Sequence, residues 1–224
     1  MTPILVVATI IFFLSMDWVV QRVRARKAAA LAAPPPQAID KTYPLRIPAG
    51  VFFAKSHTWL NLFPSGKVRL GVDDFVGSVL DDPEVSFMRT IGEHVDKGDP
   101  LLLLSEGDRQ LIIRSPISGE IVALNPEIER NPSVMRKMLF SNGWAYTIQP
   151  KRAEELRALM LGEESRTWMG IEFRRLRDLL AGAGAQGALA PAALQDGGVP
   201  VAGLLRHLGA SEWKKFEDEF LKIQ

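Results

Sequence analysis

The sequence predicts a mainly β fold, a compact barrel or sandwich, with a transmembrane helix ahead of it and helices behind it. Three observations carry that expectation. About eight short apolar runs, punctuated by turn residues, fill roughly a hundred residues from Val51 onward, with no long helices alternating between them. The run Ile4–Val20 carries a single charge, Asp17. Beyond Lys151, apolar residues recur at three- and four-residue spacing.

The amino-terminal run supplies eleven Ile, Leu, Val and Phe residues between Ile4 and Val20. Their insertion free energy sums to roughly −3 to −7 kcal/mol, and an off-centre Asp17 costs less than the ~3 kcal/mol charged at mid-bilayer. As a helix, Thr2–Val20 measures about 28 Å, close to the ~30 Å of a hydrocarbon core. Trp18 falls at the interface, and Arg22, Arg24, Arg26 and Lys27 follow at once. A cleaved signal peptide would carry its basic cluster before the apolar run, not after it. A buried core helix would show a polar face. The segment therefore reads as a single-span anchor in an inner or plasma membrane. The positive-inside rule places the bulk of the chain, after Arg22, in the cytoplasm.

Residues 28–50 form a Pro/Ala-rich linker, with Pro34–Pro36, Pro44 and Pro48. Consecutive prolines favour an extended, semi-rigid spacer. Val51–Phe63 then reads as a strand, Pro64-Ser65-Gly66 as a hairpin turn, and Lys67–Val72 as the returning strand. Asp73–Leu80 suits one or two helical turns, with Asp73 and Asp74 at its start better explained by N-capping than as an acid/base pair. Gly92–Pro100 is polar and turn-rich. Leu101–Leu104 is a strand, Ser105–Arg109 a turn, and Gln110–Arg114 and Gly119–Asn125 two further strands. Asn131–Met138 reads as a short helix and Gly143–Pro150 as the closing strand.

Composition removes much chemistry. The 224 residues hold 27 basic and 26 acidic side chains, a formal charge of +1, which gives no electrostatic footprint for general nucleic-acid binding. Absence of cysteine excludes disulfides, thiolate metal sites and a cysteine nucleophile. The three histidines, His57, His94 and His207, share no paired spacing. No constellation of hydrolase or metalloenzyme type is present: no catalytic, metal or cofactor residues are expected, and no small-molecule substrate.

Residues 51–165 resemble the H protein of the glycine cleavage system. The blocks are FFAKSHTWL, KVRLGVDDFVGSVLDD, HVDKGDPLLLL, SPISGEIVALNPEIERNP and GWAYTIQP, in the family's order, and Ser115–Asn125 is the most specific of them. The resemblance implies a barrel-sandwich hybrid, the lipoyl/biotinyl hammerhead, in which Gly71, Gly98 and Gly119 mark corners. It also implies a lysine at a hairpin tip, written Glu-Ser-Val-Lys-Ala in the family. That lysine carries lipoate and stands seven residues before the serine of a Ser-Pro pair.

Counting back from Ser115 reaches Asp108, within Ser105-Glu106-Gly107-Asp108-Arg109. No lysine occurs between Lys97 and Lys137. A carboxylate forms no lipoyl amide, and the guanidinium of Arg109 is not acylated by that route. Lys97 lies in a different turn and reads as a solvated side chain. Asp108 thus occupies the expected lipoyl-lysine position, and no cofactor is expected. His57 matches the family's His-x-Trp element; its functional reading is a contact to the carrier arm, and its plainer one a hydrogen-bonded structural histidine beside Trp59.

Two helices are expected over Lys151–Leu161 and Ser165–Leu180, burying Leu156, Leu159, Met160, Trp168, Ile171, Phe173, Leu176, Leu179 and Leu180. Arg174, Arg175 and Arg177 form a basic face, read first as solvated. The organisation is then an anchor with its basic flank (1–27), linker (28–50), β domain (51–150), helical extension (151–182), Gly/Ala-rich linker (183–198) and a carboxy-terminal helical hairpin (199–224). Trp213, Phe216 and Phe220 give this end more apolar surface than it buries alone, so it either packs on the barrel or docks on a partner; docking is the reading preferred, with the β domain left folded when residues 197–224 are removed. The alternative surface lies around Glu106, Asp108 and Arg109. Two function classes follow. One is a non-catalytic, membrane-tethered scaffold or accessory subunit of a larger membrane complex, respiratory or photosynthetic in kind. The other is a lipoate-linked carrier with a non-standard attachment.

Overall fold

The computed structural model describes residues 47–184, Leu205 and residues 208–222. The apolar run, its basic flank, most of the Pro/Ala-rich linker and residues 185–204 lie outside the described residues. Among the described residues, no helix is long and apolar enough to cross a membrane.

β1 (Val51–Ala54) and β2 (Thr58–Leu62) pair as a hairpin, Val51 opposite Asn61 and Ala54 opposite Thr58. One continuous strand was expected here. The break falls at Lys55–His57, where His57 adopts φ +56° and its amide donates to the Ala54 carbonyl. No glycine or proline marks this turn, so the sequence gives no sign of it.

β3 (Val68–Val72) returns after the Pro64–Gly66 turn. α1 (Asp74–Val79) starts where expected: Asp73 Oδ1 accepts from the amides of Phe75 and Val76, at 3.1 and 3.2 Å. β4 (Glu84–Phe87) and the two-residue β5 (His94–Val95) fall in stretches where no strand was assigned. β6 (Pro100–Glu106), β7 (Arg109–Arg114) and β8 (Gly119–Leu124) match their apolar runs.

A short helix that was not foreseen, α2 (Glu127–Arg130), precedes α3 (Ser133–Lys137), which falls within the helix expected over Asn131–Met138. Pro132, lacking an amide proton, separates them. β9 (Trp144–Pro150) closes the set.

The expected helix Lys151–Leu161 is also corrected. α4 (Ala153–Arg157) is short, and β10 (Met160–Leu161) pairs antiparallel with β1, Met160 opposite Phe53. Gly162, at φ +61°, then turns the chain into α5 (Glu163–Gly184). α5 buries Phe173, Leu176, Leu179 and Leu180, as its spacing predicts, and also Met169, which was not expected, while Ile171 is exposed.

Seven strands form one sheet in the order β10-β1-β2-β3-β9-β8-β5, and three form a second, β4-β6-β7. The two share one apolar core, with Phe53, Leu60, Leu70, Leu102, Leu111, Ile121 and Ile148 fully buried in it. Tyr146 of β9 ties the sheets together. Its hydroxyl donates to the Leu101 carbonyl of β6 at 2.6 Å, and burial pushes its pKa up to about 12.

Gly71, read as a corner, lies within β3 at a register shift, where a Cβ would stand 2.7 Å from the Trp59 ring. At Gly119 a Cβ would overlap the Gln149 carbonyl of β9. Both positions serve close approach rather than a turn.

The carboxy-terminal residues belong to this same core. α6 (Ala210–Phe216) continues into a π-helical segment (Glu217–Leu221). Trp213, Phe216, Phe220 and Leu221 are buried there, together with Leu205 and Leu208. Phe216 stacks parallel to Phe75 of α1, with centroids 6.0 Å apart and planes at 8°. The expectation of docking anchors on a partner is therefore corrected: these aromatics meet their own domain. Most of the other half of the expected hairpin, residues 199–204, lies outside the described residues.

Candidate functional site

β6 and β7 pair to their ends, Glu106 opposite Arg109, leaving Gly107 and Asp108 as a two-residue tip. Gly107 takes φ +64° at the first central position, where a two-residue hairpin of type II′ places glycine. Asp108 follows it and is exposed. This is the position at which the resemblance places a modified lysine, and it is accessible to an enzyme acting on the tip. Its side chain is a carboxylate, which offers no amine to acylate.

The neighbours of Asp108 are engaged within the chain. Glu106 Oε1 accepts from the amides of Asp81 at 2.6 Å and Asp82 at 3.2 Å, pinning the loop after α1 to the hairpin. Arg109 donates to the Leu205 carbonyl at 3.1 Å, and its guanidinium lies 5.7 Å from the Trp213 ring centroid. The Trp213 indole N–H donates to the Gln110 carbonyl at 2.9 Å. A groove of about 310 Å³ runs beside the tip, lined by Asp82, Glu84, Ser105, Glu106, Gly107, Asp108 and Arg109. Its carboxylates suit a basic surface better than an acidic one. Of the six side chains proposed from sequence, the structure brings Glu106, Asp108 and Arg109 to one groove and sets Trp213 against Arg109. Phe216 and Phe220 lie inside the core.

Lys97 sits on a separate turn, where its amide donates to Ser118 Oγ at 3.0 Å and its side chain is exposed. His94 is exposed, and His207 lies outside the described residues. Among the described residues, no group of His, Cys, Asp or Glu is placed to hold a metal ion.

His57 occupies a second polar site that sequence reading underestimates. It is fully buried, with Nδ1 2.9 Å from Asp73 Oδ2. Its ring stacks on Phe75 at 4.0 Å and on Trp168 of α5 at 4.9 Å, not on Trp59. Glu172 of α5 brings Oε2 to 3.9 Å from Nε2, and Arg175 holds that carboxylate through two hydrogen bonds of 2.8 and 2.9 Å. Burial works against charge on His57, but Asp73 and Glu172 outweigh it and hold its pKa above the ordinary 6.5. Burial likewise opposes ionisation of Glu172, yet His57 and Arg175 hold its pKa below the ordinary range. Neither Glu172 nor Arg175 could be paired with His57 from spacing, since more than a hundred residues separate them.

The sequence profile of the glycine cleavage H-protein family matches residues 51–170. A glycine cleavage system H protein of Psychrobacter sp. (strain PRwf-1) is 28% identical over 118 residues, covering 53% of this chain and 94% of the relative. The glycine cleavage system H protein of Coprothermobacter proteolyticus is 25% identical over 126 residues, 56% of this chain and 99% of the relative. Among solved structures, the glycine cleavage system H protein of Mycobacterium marinum aligns with a TM-score of 0.49 and 24% identity, over 55% of this chain and 99% of that one.

Proposed function

The chain belongs to the glycine cleavage H-protein family, and from that premise we propose that it is a member without the carrier step. On this reading it is a non-catalytic, membrane-tethered accessory or scaffold subunit that uses its H-protein-like domain as an interaction surface in a larger membrane complex. The observation that carries the reading is the hairpin tip. A carrier in this family needs a lysine ε-amine at an exposed turn; here the exposed tip residue is Asp108, and its flanking Glu106 and Arg109 are tied into the domain. The groove beside Asp108 supports that end of the domain as the interaction face. The run Ile4–Val20 and the basic residues after it support the tether.

Lipoylation in vitro tests the loss of the carrier step. Lipoate ligase should modify the Psychrobacter relative and leave this chain bare. Asp108→Lys alone should restore little, because Glu106 and Arg109 also depart from the family's tip. Efficient labelling of the unaltered chain would overturn the proposal. The tether makes a separate prediction: protease added to intact cells should spare the β domain. Digestion of that domain while cytoplasmic markers survive would reverse the orientation.

A further inference from the structure

Four ionisable side chains, alternating in sign when the imidazole is protonated, line the joint between the β domain and its helices: Asp73, His57, Glu172 and Arg175. Asp73 opens α1, His57 forms the β1–β2 turn, and Glu172 and Arg175 lie one helical turn apart on α5. The row continues into the carboxy-terminal segment. The Arg175 guanidinium lies 4.9 Å from the Phe220 ring centroid and donates to the Glu219 carbonyl at 3.3 Å. Phe220 in turn stands 6.2 Å from the His57 ring.

His57 is poorly satisfied in one respect. Nδ1 has its carboxylate, but Nε2 is buried without a hydrogen-bond partner, Glu172 being 3.9 Å away. A charged imidazole there is attracted by carboxylates from both sides. A neutral one leaves the buried Glu172 carboxylate facing an uncharged ring, at a site where burial strengthens interactions between charges. The remaining groups around the ring are the apolar faces of Phe75, Trp168 and Phe220. Both charged groups that face the imidazole are thus carboxylates, one from α1's cap and one from α5.

We propose that His57 works as a protonation-dependent latch: charged, it holds α5 and, through Arg175, the carboxy-terminal helix against the β domain; neutral, it lets that helix loosen. What the latch controls follows from what the helix covers. Trp213 and Leu205 take hydrogen bonds with Gln110 and Arg109, the first residues of β7 after Asp108. Loosening α6 frees the β7 edge beside the tip and exposes the aromatic surface of Trp213 and Phe216. The latch thereby couples alkalinity to the surface the tip presents.

The direction is set by the linkage. The pKa of His57 is raised on folding, so its contribution is complete below about 6.5 and is lost as pH rises through the higher folded value. The test uses the full chain in detergent, labelled with fluorotryptophan, followed by fluorine NMR from about pH 5 to about pH 9. Trp168 reports the imidazole it stacks on, and Trp213 reports the carboxy-terminal helix. Both signals should move with one midpoint above 6.5. Glu172→Gln should lower that midpoint by about one pH unit. His57→Asn, chosen because asparagine tolerates positive φ, should abolish the Trp213 step. A Trp213 signal that stays constant while Trp168 titrates overturns the latch. So does a midpoint unmoved by Glu172→Gln, a comparison that stands even if His57→Asn does not fold.

Discussion

Phe216→Ala is expected to destabilise the β domain itself, although Phe216 lies beyond the matched residues 51–170. The ring is fully buried, stacked on Phe75 and 5.0 Å from Phe220. Removing a buried phenylalanine from such a site costs about 3–5 kcal/mol, through lost transfer free energy and an incompletely closed cavity. For a domain of this size each kcal/mol lowers Tm by roughly 2–4 °C, so a fall of about 6–20 °C is expected. Thermal unfolding of the full chain in detergent, followed by circular dichroism, checks this. Phe216→Leu should recover much of the loss, because it refills part of the cavity. A variant that melts with the unaltered chain would show that the carboxy-terminal helix is an appendage, and the docking expectation drawn from sequence would return.

The contrast between that expectation and the structure shows what a sequence exposes. Spacing located Trp213, Phe216 and Phe220 correctly as one apolar face, because helical periodicity is local. It could not say what covers the face. The answer lies in α1 and β7, more than a hundred residues earlier: Phe75 takes Phe216, and the Gln110 carbonyl takes the Trp213 indole. An apolar face on a helix looks the same whether its cover is intramolecular or a partner.

The β elements were legible where turn chemistry was conventional. Pro64–Gly66 and Gly107–Asp108 announce their hairpins with residues suited to the backbone they adopt. The Lys55–His57 turn does not, because histidine supplies the positive φ. β5 and β10, two residues each, carry too little pattern to be seen. β10 exists because Met160 fills the edge beside Phe53, a tertiary contact that overrides the helical spacing of residues 151–161.

The tip was legible for a different reason: a fixed count from Ser115 locates Asp108, and the structure puts that residue at the exposed end of β6–β7. The polar joint was only half visible. The His-x-Trp element drew attention to His57, and N-capping to Asp73. Their hydrogen bond to one another follows from the β2–β3 pairing that sets Thr58 opposite Val72, and the approach of Glu172 depends on how α5 folds back.

The tip makes the largest prediction of all, because it concerns the presence or absence of an entire covalent group. An amide to lipoate or biotin requires a primary amine, held exposed so that a modifying enzyme can reach it. The segment from Gly98 to Arg136 contains no lysine. Lys97 is exposed, but it stands on the Asp96–Asp99 turn, where Asp99 donates its amide to the Asp96 carbonyl at 3.0 Å, and not on the β6–β7 hairpin. The reading of this chain as a scaffold rests on that difference more than on any other.

Intact-mass spectrometry of the protein purified from its own cells, where lipoate is available, tests it most directly. The protein should show no mass increment from a lipoyl or biotinyl group, and peptides spanning Asp108 should carry no adduct. A mass increment of one lipoyl or biotinyl group, mapped to Lys97 or to any other residue, would contradict the loss of the carrier step.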